Sequence, residues 1–251
     1  MDTRNGVAVE LRNVHKAFNG KVVHDGVDLT VRDREIMTLV GASGQGKTVL
    51  LKEMIGLMQP DEGEIFVHGR EVTGMGEPEL QDLRREVAMV FQGSALFDSL
   101  TVAENVAFGL LERRRGTPRD DVARIVAEKL QLVDLPGTEN FMPAELSGGM
   151  KKRVALARAL ALGPKIILYD EPTTGLDPAN VRRINSLIVK TRDVVGITSI
   201  MVTHDMHSVK AITDRLALLD KGRIIAIGTW KEMEESAIPR VRQFLEGEVE
   251  M

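Results

Sequence analysis

Cysteine is absent from the 251 residues, which excludes disulfides, thiolate catalysis and cysteine zinc sites while leaving the redox compartment open. No run of about 18 consecutive apolar residues occurs, so no helix is expected to span a bilayer. No apolar signal segment opens the chain; Met1 to Asn5 is short and polar, and a cytoplasmic setting is the default expectation. Internal repeats and low-complexity tracts are missing. Positive charge is not in excess. A formal net charge of −4 argues against broad nucleic-acid binding, and the basic cluster Arg113 to Arg115 is too short to reverse it. What is present is hydrophobic content of 43% over a length that fits one large domain or two small lobes, enough for a sizeable core.

The most informative stretch is GASGQGKT: Gly41, Ala42, Ser43, Gly44, Gln45, Gly46, Lys47 and Thr48, followed by Val49. A glycine-rich loop can wrap backbone N–H groups around phosphates, set an ammonium beside them and offer a hydroxyl to magnesium. The apolar run Ile36 to Val40 before it reads as a strand and Val49 to Ile55 after it as a helix, the context the motif needs.

Along the chain, Ala8 to Thr30 reads as strands with a turn at Asn19-Gly20. Further strands are expected at Glu64 to Val67 and Val87 to Phe91. Ser94 to Gly163 reads mostly as helices, with Thr101 and Glu104 forming a capping box and Val122, Ile125, Val126 and Leu130 a buried stripe. Ile166 to Tyr169 and Ile200 to Thr203 are short unbroken apolar runs, as expected of strands covered on both faces. Val181, Ile184, Leu187 and Ile188 mark an amphipathic helix. Leu216 to Leu219 and Arg223 to Ile227 read as a closing hairpin. A polar helical tail follows from Lys231, with Val241, Phe244 and Leu245 as docking residues and the sole tryptophan, Trp230, as packing for it. The pattern is an α/β body carrying a helical insertion over roughly residues 93–162.

Lys47 and Thr48 require a magnesium partner. Asp170 directly follows an apolar strand, so its carboxylate emerges at the edge of the sheet where ligands bind. Glu171, the next residue, can hold an attacking water for in-line displacement at a γ-phosphorus. Gln92 and His204 follow two more strands; the amide can reach a metal or its water, and the imidazole can contact the γ-phosphate. His15, His24, His68 and His207 have no comparable setting and are read as surface or satisfied histidines. Ser147, Gly148 and Gly149 precede a helix, where a serine cap and exposed amides suit an anion. That second anion site is surplus within one chain, and two copies facing each other would resolve the surplus. Phe18 either offers a ring face to adenine or buries in the core.

Taken together, GASGQGKT, Gln92, LSGGM at 146–150, IILYDEP at 166–172, TTGLDP at 173–178 and His204 resemble the nucleotide-binding subunit of an ATP-binding cassette transporter, over about residues 7–230. The resemblance implies an α/β P-loop NTPase fold of the ABC ATPase type, with an inserted helical subdomain and an N-terminal antiparallel β subdomain. Residues 1–230 would form the nucleotide-binding domain and 231–251 a helical tail able to contact a second protomer. It implies ATP hydrolysis with ATP and Mg2+, the ion held by Thr48, Gln92 and Asp170. It further implies Phe18 stacking on adenine, Glu171 polarising water, Gln92 as a switch residue, Asp177 at a dimer seam, and Ser147 and Gly149 binding the γ-phosphate held by the opposite copy. Most of the family has glutamine at Met150, so a glutamine-specific contact is lost there. LSGGM, with FQGSALFDSLTVAENVAF at 91–108 and PRVRQFLEG at 239–247, is similar to the ATPase of MCE-linked lipid transporters of the Mla (maintenance of lipid asymmetry) type. That implies a lipid or phospholipid substrate, a permease dimer, an MCE lipid-binding protein and a place on the cytoplasmic face of the inner membrane. The chain keeps TTGLDP where some Mla ATPases depart from it. Rival readings are an importer ATPase for a polar solute such as an amino acid, a DNA-associated ATPase, and a non-catalytic nucleotide switch. The second lacks the sustained heptads of a long coiled coil; the third conflicts with intact Lys47, Asp170, Glu171 and His204.

Overall fold

The computed structural model describes residues 6–113 and 118–247. Arg114 and Arg115 of the basic cluster, Met1 to Asn5 and the last residues of the tail, 248–251, lie outside the described residues.

Strands β1 (Val7–Phe18) and β2 (Lys21–Arg32) pair antiparallel. Their turn is Asn19-Gly20, at φ 50 and 80, the left-handed pair that matches strand twist in a two-residue hairpin. β4 (Glu62–Val67) flanks β1 and β5 (Arg70–Glu71) flanks β4, giving one antiparallel sheet in the order β2-β1-β4-β5. The second sheet contains β3 (Ile36–Val40), β6 (Val87–Val90), β7 (Ile166–Asp170), β8 (Thr198–Val202), β9 (Arg215–Asp220) and β10 (Arg223–Gly228) in the order β10-β9-β3-β8-β7-β6. Its strands run parallel except at the β9–β10 hairpin.

Every residue of β3, β7 and β8 is buried, because both faces of this sheet are covered. The side chains alternate accordingly. Met37, Leu39, Ile166, Leu168, Ile200 and Val202 pack with Leu50 and Leu51 toward the antiparallel sheet, while Ile36, Ile167, Tyr169 and Met201 pack on the opposite side. Leu50 and Leu51 belong to α1 (Lys47–Met54).

On the other side α5 (Gly148–Ala161) packs against β6, and Ile184, Leu187, Ile188 and Ile212 from later helices share that core; α3 (Val102–Arg113) and α4 (Arg119–Leu132) pack on α5 and complete the expected helical insertion. Thr101 and Glu104 cap α3 reciprocally, the Glu104 N–H donating to Thr101 Oγ1 at 3.2 Å and the Thr101 N–H to Glu104 Oε2 at 2.7 Å. Val122, Val126 and Leu130 are buried on α4, with Ile125 partly so. Two helices escaped the sequence reading: the seven-residue helix Met206–Ile212, and α2 (Glu77–Glu86), which buries only Leu80 and Leu83, too thin a stripe to show as periodicity. α6 (Pro178–Lys190) and α7 (Met206–Ile212) follow β7 and β8. The tail forms α8 (Trp230–Glu234) and α9 (Pro239–Leu245). Met233, Val241 and Phe244 pack on Val40, Leu216 and Leu218 of the body, with Trp230 and Leu245 partly buried beside them.

Candidate functional site

Four neighbouring parallel strands deliver the chemistry to one edge of the sheet. β3 runs into the Gly41–Gly46 loop, β7 ends at Asp170 with Glu171 next, β8 leads to His204, and β6 leads through Phe91 to Gln92. Phe18, Ser43, Gly44, Gly46, Lys47, Thr48, Val49, Gln92, Asp170, Glu171 and His204 line one cavity of about 460 Å³.

The loop has its shape because backbone passes where no side chain fits. A Cβ on Gly41 would lie 2.3 Å from the Leu219 carbonyl oxygen, and one on Gly46, at φ 93, would lie 2.3 Å from Val23 Cγ1. Gly46 precedes the first turn of α1, whose free N–H groups face the loop. The buried Lys47 ammonium donates to the carbonyls of Gly41 (2.6 Å) and Ala42 (2.8 Å). Burial pulls this amine below its ordinary value, opposed by the carboxylates of Glu171 and Asp170. The Gln45 side chain turns away and accepts the Lys221 N–H at 2.8 Å.

Thr48 Oγ1 donates to Asp170 Oδ1 at 2.7 Å, so the hydroxyl and the carboxylate expected to share a metal do adjoin. With the Gln92 amide on the same wall, the donors are all oxygens, and only one carboxylate is in the set. That suits Mg2+, which keeps several waters and takes further ligands from a phosphate substrate. No group of three or more His, Asp and Glu side chains placed to hold an ion occurs among the described residues.

Glu171 adopts φ 51, its N–H donating to the Val202 carbonyl at 2.9 Å. Its carboxylate accepts from Thr174 Oγ1 at 3.0 Å and lies 3.0 Å from His204 Nδ1. The carboxylate is 14% exposed and the imidazole 53%, so the pair sits at the mouth with its acid held and its histidine open.

Phe18 is 39% exposed at the hairpin tip. The Lys16 ammonium sits 5.4 Å from the ring centroid and is held by Asp61 at 2.7 Å, while the Ala17 N–H donates to the other Asp61 oxygen at 2.7 Å. The core alternative for Phe18 therefore gives way to an exposed ring face.

Ser147, Gly148 and Gly149 do not line this cavity. Ser147 caps α5, accepting the Met150 N–H at 3.3 Å, and is exposed together with Gly148. A Cβ on Gly149 would come within 2.5 Å of Asn180 Oδ1, and Asn180 is held by Asp177 at the start of α6. The LSGGM and GLDP stretches thus pack together on a surface separate from their own phosphate loop. Met150 is partly buried against the helical core, so its side chain serves packing.

Three features escaped the sequence reading. His24 is fully buried, with Nδ1 3.2 Å from Glu53 Oε2 and Nε2 3.1 Å from the Gly46 carbonyl oxygen. Asp61 shapes the backbone before Phe18. Lys152, on α5, reaches backbone beside Gln92 and Glu171. The one available signal was a lysine inside the apolar run of α5; the other two depend on residues far apart in the chain.

Residues 24–174 match the family model described as ABC transporter. The chain is 39% identical over 240 residues to the intermembrane phospholipid transport system ATP-binding protein MlaF of Haemophilus influenzae, an alignment covering 96% of this chain and 90% of that one. It is 41% identical over 220 residues to the methionine import ATP-binding protein MetN of Mesorhizobium japonicum, covering 88% of this chain and 60% of that one. Among solved structures, the dimeric post-hydrolysis state of the ATP-binding cassette MJ0796 bound to ADP and Pi is similar with a TM-score of 0.81 and 32% identity, covering 88% and 98% of the two chains.

Proposed function

The chain belongs to the ABC transporter family as an ATP-hydrolysing, ATP-binding subunit, and from that premise we propose that it powers movement of a lipid, phospholipid foremost, through a membrane permease dimer supplied by an MCE-domain lipid-binding protein. One observation carries the lipid reading: the similarity to MlaF runs over 96% of this chain and 90% of that protein. Methionine-type import is the second reading, favoured by the 41% identity to MetN, although the match leaves 40% of that protein's length uncovered. No helix among the described residues is long and apolar enough to cross a membrane, and the chain would join the cytoplasmic face of the inner membrane through the permease.

A groove between the α/β body and the helical insertion supports permease docking. Leu57 and Phe91 face it from one side, Phe97, Phe108 and Leu162 from the other, and its volume is about 460 Å³. Phe97 and Phe108 are 42% and 39% exposed, an apolar pair suited to a helix turn from a membrane subunit. The tail, residues 231–251, is proposed as an additional contact between protomers.

Two copies would enclose two ATP molecules, each phosphate loop facing the other copy's Ser147 turn. Phe18 would stack on adenine. The N–H groups of Gly44, Gly46, Lys47, Thr48 and Val49 would line the phosphates, and Lys47 would turn from the Gly41 and Ala42 carbonyls to the triphosphate. Thr48, Asp170 and Gln92 would hold Mg2+, which supplies neutralisation of phosphate charge. Glu171 would orient the water whose oxygen bonds the γ-phosphorus as the bond to ADP breaks, and His204 would donate to the γ-phosphate while Thr174 steadies Glu171. Ser147, Gly148 and Gly149 would close on that phosphate from across the seam. Contacts of this charge-assisted kind are individually worth about 1.5–3 kcal/mol, so their loss on hydrolysis would open the dimer.

Glu171→Gln should keep ATP binding, lose turnover and trap an ATP-dependent dimer. Undiminished steady-state turnover in that variant contradicts the assignment. For the substrate, the copurified permease complex in proteoliposomes should move labelled phospholipid in an ATP-dependent manner. Amino-acid uptake without lipid movement would transfer the proposal to the importer reading.

A further inference from the structure

Helix α5 has Ser147 at its N-cap and Lys152 in its second turn. Lys152 is 9% exposed, and its ammonium donates to two backbone carbonyls, that of Gln92 at 3.2 Å and that of Glu171 at 3.1 Å. These residues follow β6 and β7, and both line the nucleotide cavity. Burial lowers the amine below its ordinary value, and the attraction of Glu171 opposes that.

Glu171 needs such a hold. Its φ of 51 is a backbone conformation disfavoured for any residue with a Cβ. Val202 accepts its N–H on one side, and Lys152 donates to its carbonyl on the other. Lys152 also lies five residues from Ser147 on one rigid helix, roughly 7.5 Å along the axis. A shift of the Gln92 and Glu171 backbone would therefore move the Ser147 turn with it.

We propose that Lys152 is a positioning residue. It sets the Glu171 carboxylate for attack in its own nucleotide site and couples that site to the Ser147 turn that closes on the nucleotide of the second copy. The inference rests on the roles proposed above for Glu171 and Ser147, and it assigns the tie between them to one side chain.

The test compares the full chain with Lys152→Met, which keeps length and apolar volume but has no donor, in both the parent and Glu171→Gln backgrounds. Lys152→Met should lower kcat about tenfold, which is ~1.4 kcal/mol of barrier. Its dissociation constant for ATP should stay within about twofold, because Lys152 touches no part of the phosphate loop. Added to Glu171→Gln, it should lower turnover no further, since its effect passes through that carboxylate. It should, however, raise by several-fold the ATP concentration at which Glu171→Gln dimerises, read by size-exclusion chromatography. Lys152→Gln, with amide donors at slightly shorter reach, should recover about half of the lost turnover on a logarithmic scale.

Turnover within about twofold of the parent for Lys152→Met overturns the proposal, as does equal loss of kcat and ATP affinity, the mark of a merely structural lysine. Independent, multiplying losses in the double variant overturn the route through Glu171, and unchanged dimerisation overturns the link to Ser147. If Lys152→Met does not fold, Lys152→Gln decides: reduced kcat with affinity kept supports the tie, and parental turnover refutes it. Parental turnover in Glu171→Gln alone would instead remove the catalytic reading of that residue.

Discussion

The buried pair His24–Glu53 makes a demanding prediction about the phosphate loop. Both side chains are 0% exposed. Nδ1 lies 3.2 Å from Oε2 but is not aligned as a hydrogen bond, and neither carboxylate oxygen accepts a hydrogen bond from the described residues. The other ring nitrogen meets the Gly46 carbonyl at 3.1 Å, so one imidazole joins β2, α1 and the last glycine of the loop. His24→Leu leaves the fully buried Glu53 carboxylate without its neighbouring imidazole. Breaking a buried pair from one side costs about 3–5 kcal/mol. For a chain of this size each kcal/mol moves the unfolding midpoint by about 2–4 °C, so a fall of roughly 6–20 °C is expected. His24→Leu with Glu53→Leu removes both polar partners and should return the midpoint to the parent value or above it. The anchor on Gly46 remains missing in that double variant, so its ATP affinity should be several-fold weaker than the parent's although its stability is restored. Urea unfolding and thermal melts without nucleotide, followed by MgATP titration, separate the two effects. A single variant within about 1 kcal/mol of the parent, or a double variant as unstable as the single, would refute the reasoning.

Phe18→Ala should raise the KM for ATP by about five- to 150-fold, the equivalent of ~1–3 kcal/mol of base stacking, with kcat changed less than about twofold. Asp61→Asn, which weakens the hold on Lys16 and the Ala17 N–H, should move KM in the same direction by less; an unchanged KM in Phe18→Ala would remove the stacking role. Lys47 supplies a pH effect. Its amine is lowered in the folded chain, so between that lowered value and the ordinary 10.5 the unfolded chain binds the extra proton, and stability rises with pH through that window. A bound triphosphate draws the value back up, so ATP binding there should take up protons. Titration calorimetry in two buffers of different ionisation heat should then give different enthalpies for the parent and equal ones for Lys47→Arg. Equal enthalpies in the parent would sink the idea.

Strands, loop and helix around GASGQGKT were legible because each rests on local rules: an apolar run, glycines where backbone must bend, a capping residue. The same holds for the Asn19-Gly20 turn and the Thr101–Glu104 cap. Gln92, Asp170, Glu171 and His204, which line one cavity, were singled out for one shared reason, that a polar residue after a buried parallel strand emerges at the ligand edge. α2 was missed because two buried leucines in ten residues leave almost no period to detect.

What the sequence by itself determined is therefore the set of chemical groups and the strand end each one occupies. Tertiary structure decided their neighbours. The strand order β3-β8-β7-β6 brings Thr48 to Asp170 and Glu171 to His204 across gaps of 122 and 33 residues. Long-range packing likewise set His24 under Gly46, Asp61 behind Phe18 and Lys152 between Gln92 and Glu171. None of these pairings obeys a local period, because a polar or charged group takes whatever partner the folded chain leaves within reach, and that partner is fixed only once the sheets have stacked.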